Sequence, residues 1–374
     1  MTAPALDKTG LDTVIVGGGL CGLALANSLQ SLGRDWALFE ARPGLGGRIR
    51  SARSAASGAM LDLGPTWFWE HADPNMAGLV TDLGLTSFPQ HDDGTAIELK
   101  STEERPTDLA VPDLHGGARR LAGGMATLVD ALAARLPVER LRLAQVLEAV
   151  TDHGEHVELT FRQGAAHSTV LARRVALAIP PRLLEKQVRF APELPAELRR
   201  TMRATPTWMA SAAKAVVAYP SAHWRTAGLS GNAFVTHEQA VLAEIFDACE
   251  AGGDPAALGG FLVLSPAQRE SFHRGLPMLI HSQIAQVFGQ PPESGELHYQ
   301  DWAAEDHTCC DLDRSDPAQG DHPYGDPLLT QALWGDKLFL GGAETAVQGG
   351  GRLEGALVAA GRLHRALSAA ASLT

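Results

Sequence analysis

One segment near the start of the chain constrains the fold more than any other. Residues 13–40 read TVIVGGGLCGLALANSLQSLGRDWALFE: an apolar strand, a glycine-rich turn, a helix, and a second strand that ends in an acid. Gly17 permits the tight turn, Gly19 lets the backbone approach a pyrophosphate, and Gly22 allows close packing of the helix on the strand. Glu40 stands where a carboxylate accepts hydrogen bonds from ribose hydroxyls. The segment therefore predicts a Rossmann-like unit that binds a dinucleotide without a ribose 2′-phosphate.

Charge and composition exclude several classes of partner. The 374 residues include 31 Lys and Arg against 43 Asp and Glu, a formal net charge of −12. An excess of acids disfavours binding to nucleic acid or to an anionic membrane. The polar first residues do not look like a signal peptide, and no apolar run reaches the roughly 18 residues of a membrane span. Four cysteines are too few for a disulfide framework at this length. We therefore expect a cytoplasmic protein.

The far end of the chain indicates that the dinucleotide-binding domain is assembled from separated segments. Residues 337–374 repeat the order of strand, glycines and helix, with the helix starting at about Leu353. Residues 204–297 mix strand and helix signals, whereas residues 85–117 look irregular and polar. We predict an α/β fold with two domains. The dinucleotide-binding domain would comprise residues 11–72, 118–203 and 298–374, and a smaller α+β substrate domain residues 73–117 and 204–297.

Hydrophobic patterns predict individual elements within these domains. The helix after the glycine turn is expected over residues 20–32. Apolar patterns predict strands at 145–150, 156–161 and 175–179, the last of which ends at a Pro-Pro pair. In folds of this kind ligands bind at the carboxyl ends of the strands and in the crevice between domains.

Motifs spread over nearly the full length resemble the flavin-containing amine oxidase family, which includes monoamine, polyamine and L-amino-acid oxidases. Beyond the glycine motif they are LGGRIRS at 45–51, DLGPTWF at 62–68, AGGMATLVDAL at 122–132, AIPP at 178–181, AAKAVVAYPSAHW at 212–224, YQDWAAE at 299–305 and LGGAETAVQGGGRLEGA at 340–356. Their shared order and spacing carry the resemblance. It implies FAD as the cofactor and the amine oxidase fold, in which a discontinuous Rossmann-like domain binds FAD and a substrate domain covers it.

The resemblance also implies which residues bind FAD. The glycine turn would hold the pyrophosphate, Glu40 the ribose and Val146 the adenine. The start of the helix after Leu353 would face the flavin carbonyl, where a helix N-terminus stabilises the negative charge of reduced flavin. The implied cofactor-binding residues are Gly17, Gly19, Leu20, Cys21, Gly22, Glu40, Ala41, Arg42, Gly47, Arg48, Gly64, Pro65, Thr66, Trp67, Val146, Trp302, Gly342, Glu344 and Leu353.

Lys214 is the candidate catalytic residue. The matching lysine of the family holds a water beside flavin N5, and a buried ammonium there promotes the reaction of reduced flavin with oxygen. The alternative is a surface lysine at the start of a strand. The apolar run after Lys214 and its distance from Trp224 favour the catalytic role.

The position before Leu353 departs from the family pattern. An aromatic residue usually stands there as one wall of a cage for the amine, whereas this chain has Arg352 after three glycines. A cation would repel a protonated amine but pair with a carboxylate or phosphate of the substrate. The alternative is that Arg352 turns outward to a surface acid. The candidate substrate-pocket residues are Trp67, Trp69, Trp208 and Arg352.

Three further features bear on the site. Some family members attach FAD through a cysteine near Cys309 and Cys310, but the spacing from Trp302 does not fit without a gap of about two residues. We therefore expect non-covalent FAD and free thiols. The histidines show no spacing typical of a metal site, so no metal is expected. The short segment 73–117 implies an open entrance or closure by a second subunit, as in a homodimer.

The leading interpretation is an FAD-dependent oxidoreductase that oxidises the C–N bond of an amine to an imine by hydride transfer to flavin N5, with O2 as the oxidant of reduced flavin. Three alternatives stay open. One is an L-amino-acid oxidase, or another oxidase of carboxylate-bearing amines, in which Arg352 or Arg50 binds the carboxylate. The others are a flavin-dependent C–C desaturase and a non-catalytic FAD-binding protein. Lys214 favours an oxidase over a desaturase, and the expected substrate is a small-molecule amine or amino acid.

Overall fold

The computed structural model describes residues 10–371 except residues 110, 112, 292, 319 and 321. The polar start of the chain, residues 1–9, lies outside this range. The described strands are β1 Leu11–Val16, β2 Trp36–Phe39, β3 Ser51–Arg53, β4 Met60–Asp62, β5 Ser87–Pro89, β6 Thr95–Leu99, β7 Thr107–Leu109, β8 Arg119–Leu121, β9 Leu141–Arg142, β10 Val146–Asp152, β11 Val157–Gln163, β12 Ala166–Leu177, β13 Arg189–Ala191, β14 Ala213–Tyr219, β15 Leu229–Val235, β16 Leu242–Asp247, β17 Ala256–Leu262, β18 Glu296–Asp301 and β19 Leu338–Leu340. The described α-helices are α1 Leu20–Ser31, α2 Pro74–Asp82, α3 Ala126–Ala133, α4 Pro181–Gln187, α5 Ala196–Ala204, α6 His223–Thr226, α7 Pro266–Phe272, α8 Leu276–Phe288, α9 Asp311–Ser315 and α10 Leu353–Ala371.

The first sheet has a parallel centre that creates a ligand-binding edge. β1 lies between β2 and β12, while β9 pairs with β2 and β19 with β12, all in parallel. β10, β11 and β13 complete the sheet beyond β12. Because parallel strands end at one edge, the residues that follow β1, β2, β12 and β19 meet there. These residues include Gly17, Glu40, Ala178 and Gly342.

Both faces of this parallel centre are buried, as is typical of α/β folds. On one face Ile15 and Leu38 pack against Leu23 of α1 and Leu363 of α10. The opposite face of the same strands packs in a second cluster with the helices α4 and α5. The near-continuous apolar character of β1 therefore follows from burial on two sides, and the predicted α/β fold is confirmed.

The second sheet is largely antiparallel and runs in the order β18-β14-β17-β16-β15-β6-β7. One face packs on α8 and Trp224. The other face, which includes Val216 and Phe246, packs on Leu61 and Leu63 close to the first sheet's segments. Side chains alternate between the faces of a strand, so Lys214 shares the second face with Val216. The sheet thus presents Lys214 toward the dinucleotide-binding part.

Three sequence predictions differ from the structure, and each difference arises from strand pairing. The strand predicted at 175–179 is the end of the much longer β12, which begins at Ala166. The range 85–117 is not wholly irregular, because β6 pairs with β15 and with β7. Residues 298–301, assigned above to the dinucleotide-binding domain, lie in β18 and pair with β14 in the second sheet. In the described part of the chain, no helix has both the length and the apolar character to cross a membrane.

Candidate active site

A cavity of about 510 Å3 lies between the carboxyl edge of the first sheet and the Lys214 face of the second. Every predicted cofactor and substrate residue except Gly22 lines it, as does Lys214. Residues from distant parts of the chain thus meet at one place. Met209, Phe261 and Asp73, which no sequence motif indicated as site residues, also line this cavity.

The glycine turn has the geometry that a bound pyrophosphate needs. Gly17 has a φ of 110°, and a Cβ atom there would lie 2.4 Å from the Ala178 carbonyl oxygen. A Cβ at Gly22 would lie 1.9 Å from the Gly17 oxygen, so Gly22 brings α1 against the turn. A Cβ at Gly19 would meet only the Gly47 Cα, at 3.8 Å. The first N–H groups of α1 have no partner within the helix and are available for an anion.

Glu40 is buried and its carboxylate shapes the turn. One oxygen accepts a 2.6 Å hydrogen bond from the Gly18 N–H, and the other accepts one of 2.8 Å from the Arg42 N–H. The Arg42 guanidinium donates to the Thr308 hydroxyl at 2.7 Å and to Glu305 at 3.3 Å. Both side chains therefore face the cavity from defined positions.

The partly exposed Arg48 and the buried Glu344 form an ion pair in the cavity wall. Arg48 Nη1 lies 2.7 Å from Glu344 Oε1, and Nη2 donates to Oε2 at 3.1 Å. Glu344 is fully buried and also accepts from the Trp208 N–H, at 3.2 Å. The ion pair joins the loop after β2, which holds Arg48, to the loop after β19, which holds Glu344. Both side chains also hydrogen-bond to the Trp208 backbone, in the segment after α5. Arg50, by contrast, pairs with Glu305 at 2.8 Å and does not line the cavity, which argues against Arg50 as a carboxylate ligand of the substrate.

Lys214 is almost wholly buried on the opposite wall. Its Nζ donates to the Gly64 carbonyl oxygen at 3.0 Å and to the Thr66 hydroxyl. The ammonium lies 5.2 Å from the centre of the Phe246 ring and 5.5 Å from that of Phe261. Gly64 and Thr66 belong to the segment implied to pass beside the flavin, so Lys214 contacts that segment directly.

The pKa of Lys214 is lowered to about 7, chiefly because burial penalises the charged form. The negative charge of Asp62 opposes this shift, as does that of Glu244 to a smaller extent. Glu244 is opposite Phe261, which is opposite Lys214, so the three side chains form a row on one sheet face. Burial in turn raises the pKa of Glu244.

Aromatic rings form the rest of this wall. The Trp67 ring centroid lies 4.6 Å from that of Phe246 and 5.0 Å from that of His115. Trp67 Nε1 donates to Gln90 at 2.8 Å, and Trp69 Nε1 donates to the His115 carbonyl oxygen at 2.7 Å. The polar edges of both indoles are therefore satisfied while their apolar faces remain at the cavity.

The three glycines before Arg352 leave room that other aromatic side chains fill. A Cβ at Gly351 would lie 2.5 Å from the Trp208 Cβ, and one at Gly350 would lie 2.3 Å from the Tyr324 Cβ. Trp208 lines the cavity beside Arg352. An aromatic residue is thus present near the position where the family usually has one, but it comes from a different segment.

Neither Cys309 nor Cys310 lines the cavity, and both are free. Burial raises the pKa of the Cys309 thiol to about 12, so it is protonated at neutral pH. This placement agrees with non-covalent FAD. His307 lines the cavity, but the described residues contain no group of three metal-ligating side chains suited to an ion.

The residues present fit FAD. The turn around Gly19 is open toward the cavity, the α1 N-terminus points at it, and the acid Glu40 stands at the end of β2. These features match the pyrophosphate and ribose of a dinucleotide. The apolar and aromatic wall around Trp67 suits the flavin ring and an organic substrate.

Comparison with known proteins identifies the family of the chain. The family model described as flavin containing amine oxidoreductase matches residues 20–110 and 94–363. Amine oxidase [flavin-containing] A of Sus scrofa is 25% identical over 304 residues, which is 80% of this chain and 56% of the relative. Putrescine oxidase of Kocuria rosea is 24% identical over 426 residues, with 84% of this chain and 86% of the relative covered. The chain spans about half the length of the vertebrate amine oxidases it matches.

Solved structures support the fold. Wild-type putrescine oxidase bound to putrescine has a TM-score of 0.78 at 18% identity, covering 96% of this chain and 99% of that chain. Cyclohexylamine oxidase from Brevibacterium oxydans IH-35A has a TM-score of 0.77 at 17% identity, covering 97% and 100%. With the family model matching most of the chain, the cofactor is FAD, and this protein belongs to the flavin containing amine oxidoreductase family.

Proposed function

We propose that this protein uses FAD to oxidise the C–N bond of a small-molecule amine to an imine, which water then hydrolyses. The observation that carries the proposal is Lys214, a buried lysine with a lowered pKa on the wall opposite the dinucleotide turn. An exposed structural lysine would not show this environment. Relatives named monoamine and putrescine oxidases support the same reaction class.

The chain's own residues would bind, orient and desolvate the reactants. When bound, FAD supplies the hydride acceptor of the oxidation. Trp67, Phe261 and Trp69 would exclude water from the reacting carbon and hold the substrate against one face of the cofactor. A neutral amine needs no protein base to lose a hydride, so the lack of a His–Asp pair among the residues lining the cavity is consistent with this chemistry.

Lys214 would act in the second half of the reaction. Its ammonium, held by the Gly64 carbonyl and the Thr66 hydroxyl, would provide positive charge where O2 gains electron density. We propose O2 as the electron acceptor for this reason. The lowered pKa means that a substantial fraction of Lys214 is charged and a substantial fraction neutral near pH 7.

A Lys214→Met variant separates the two half-reactions. Stopped-flow absorbance would follow anaerobic bleaching by an amine and then reoxidation on mixing with O2. We expect the rate constant for reoxidation to fall by roughly 100-fold, the lower end of the loss that is typical when one preorganised donor is removed. The matched control is Lys100→Met, which removes an exposed lysine that does not line the cavity and has no sequence neighbour that does. Reoxidation as fast as in the parent would remove the role assigned to Lys214, and failure of any amine to bleach the parent would refute the proposed reaction.

A further inference from the structure

The wall of the cavity at the start of α10 carries a cation with unused hydrogen-bond donors. Arg352 lines the cavity, and 45% of its side chain is exposed. Its nearest acid is Asp73, whose Oδ1 lies 3.9 Å from Arg352 Nη2. That distance is too long for a hydrogen bond. Within the described part of the chain, the guanidinium has no closer polar partner.

Asp73 attracts the Arg352 guanidinium by its charge but forms no hydrogen bond with it. Asp73 is buried, and its Oδ2 accepts a 2.9 Å hydrogen bond from the Trp69 N–H, whereas Oδ1 has no hydrogen-bond partner among the described residues. A buried carboxylate without full hydrogen bonding attracts a neighbouring cation strongly. The carboxylate therefore draws the guanidinium to this wall, where its remaining N–H groups stay available.

The backbone on both sides of the pair is hydrogen-bonded. The Arg352 N–H donates to the Gly349 oxygen at 3.0 Å, and the Arg352 carbonyl accepts from the Ala356 N–H at 3.2 Å at the start of α10. Two residues on, the buried Glu354 accepts from the N–H groups of Asn75 and Met76 at the start of α2. Arg352 and Asp73 thus precede two helices that are tied together by one carboxylate.

The surroundings suit the recognition of a substrate anion. Trp69 and Trp208 line the same part of the cavity and provide apolar surface beside the guanidinium. A charge-assisted hydrogen bond to a carboxylate is stronger where water is partly excluded, and arginine can bind a carboxylate through two parallel N–H donors. The glycines before Arg352 leave room for the Trp208 and Tyr324 side chains, which pack against them.

We propose that Arg352 binds a carboxylate of the substrate, so that the preferred substrate is an amine that also bears a carboxylate, such as an amino acid. Asp73 is the positioning residue that keeps the guanidinium at the wall. The inference rests on the proposed oxidation of an amine. Two acids near the site would favour a second ammonium instead: Asp73, which lines the cavity beside Arg352, and Glu244, in the row with Lys214 and Phe261. Arg352 is favoured because Glu244 does not line the cavity, and because Asp73 is buried behind the cation while 45% of the Arg352 side chain is exposed.

Binding of unreactive probes tests Arg352 without turnover. Calorimetry on the FAD-loaded protein would compare benzoate with benzamide, which has the same shape but no charge. We expect the parent to bind benzoate at least 10-fold more tightly than benzamide, and Arg352→Gln to weaken benzoate binding by 10-fold or more. Arg352→Lys should retain part of the preference, and Asp73→Asn should reduce it. The control Arg365→Gln removes an exposed arginine from the same helix and should leave the preference unchanged. Equal binding of benzoate and benzamide by the parent would overturn the proposal.

The turnover of matched pairs of substrates identifies the substrate class. Phenylalanine and 2-phenylethylamine differ by the carboxylate, and putrescine and butylamine differ by a second ammonium. We expect the ratio of kcat/KM for phenylalanine over 2-phenylethylamine to exceed 1 in the parent and to fall 10-fold to 100-fold in Arg352→Gln. A ratio unchanged by the substitution would contradict the proposal, as would a preference for putrescine that Glu244→Gln abolishes. If no amine reduces the flavin, the proposed reaction fails, while the benzoate measurement still decides whether Arg352 is an anion site.

Discussion

At the residue scale, burial of the Lys214 ammonium lowers its pKa into a range that a pH titration of the reaction can detect. The folded-state pKa of Lys214 is about 7, below the ordinary value of 10.5, because burial disfavours its charge. Lys214 is therefore charged below about pH 7 and neutral above it. Any step that needs the ammonium is favoured at the lower pH.

We expect the rate constant for the reaction of the reduced enzyme with O2 to fall as pH rises through about 7. In Glu244→Gln the midpoint should move to lower pH, because the negative charge of Glu244 stabilises the ammonium. Stopped-flow reoxidation between pH 5 and pH 9 measures both midpoints, with Glu197→Gln as the control for an exposed acid. A rate independent of pH in the parent would be inconsistent with a titrating Lys214, and Lys214→Met should show no such midpoint.

At the scale of elements, the contact between α1 and the glycine turn explains why residues 13–40 are so informative. A Cβ at Gly22 would lie 1.9 Å from the Gly17 oxygen, so no side chain fits there without separating the helix from the turn. The N–H groups at the start of α1 would then lose their alignment with a bound pyrophosphate. The packing of α1 on the turn and the binding of the cofactor therefore both require a residue without a side chain at position 22.

Two glycine-to-alanine substitutions in helices should therefore have opposite effects. Gly22→Ala should lower the free energy of unfolding by at least about 2 kcal/mol, as overpacking does, and weaken FAD binding. A Cβ atom at Gly78 in α2 would have no atom within 4 Å. Because alanine favours the helix more than glycine does, Gly78→Ala should raise the free energy of unfolding by up to about 1 kcal/mol. Urea unfolding monitored by circular dichroism and the FAD content after gel filtration measure the two effects. A stable, FAD-replete Gly22→Ala variant would show that the turn is more adaptable than this geometry allows.

The elements themselves were only partly predictable. The helix expected over 20–32 is observed as Leu20–Ser31, because its glycine boundaries act locally. In contrast, β6 was missed because it is short and is stabilised by pairing with β15, more than a hundred residues later. The first half of β12 was missed for a different reason: its side chains are largely exposed and give no apolar pattern, and it is stabilised by antiparallel pairing with the preceding strand β11.

At the scale of the whole molecule, the cavity lies between two sheets that contribute opposite walls, so cofactor binding and folding should be linked. A ligand that binds only the folded state stabilises it by an amount set by its concentration relative to its Kd. FAD at 100 times its Kd should raise the free energy of unfolding by about 2.7 kcal/mol. Differential scanning calorimetry of the cofactor-depleted protein measures this as a rise in Tm with FAD concentration. NADP, whose 2′-phosphate would meet Glu40, serves as the control, and an equal rise with NADP would contradict the assigned ribose site.

The sequence alone determined the dinucleotide turn, because Gly17, Gly19, Gly22 and Glu40 act through local backbone geometry and fixed spacing. The order and spacing of the motifs along the rest of the chain indicated the family and, with it, the cofactor. It also identified Lys214 and Arg352 as the residues of interest. Only the tertiary structure decided what surrounds them. The Phe246 and Phe261 rings beside Lys214, and Asp73 beside Arg352, come from segments far apart in the chain. Desolvation and charge pairing depend on such non-local packing, so the pKa of Lys214 and the orientation of Arg352 follow from the folded arrangement.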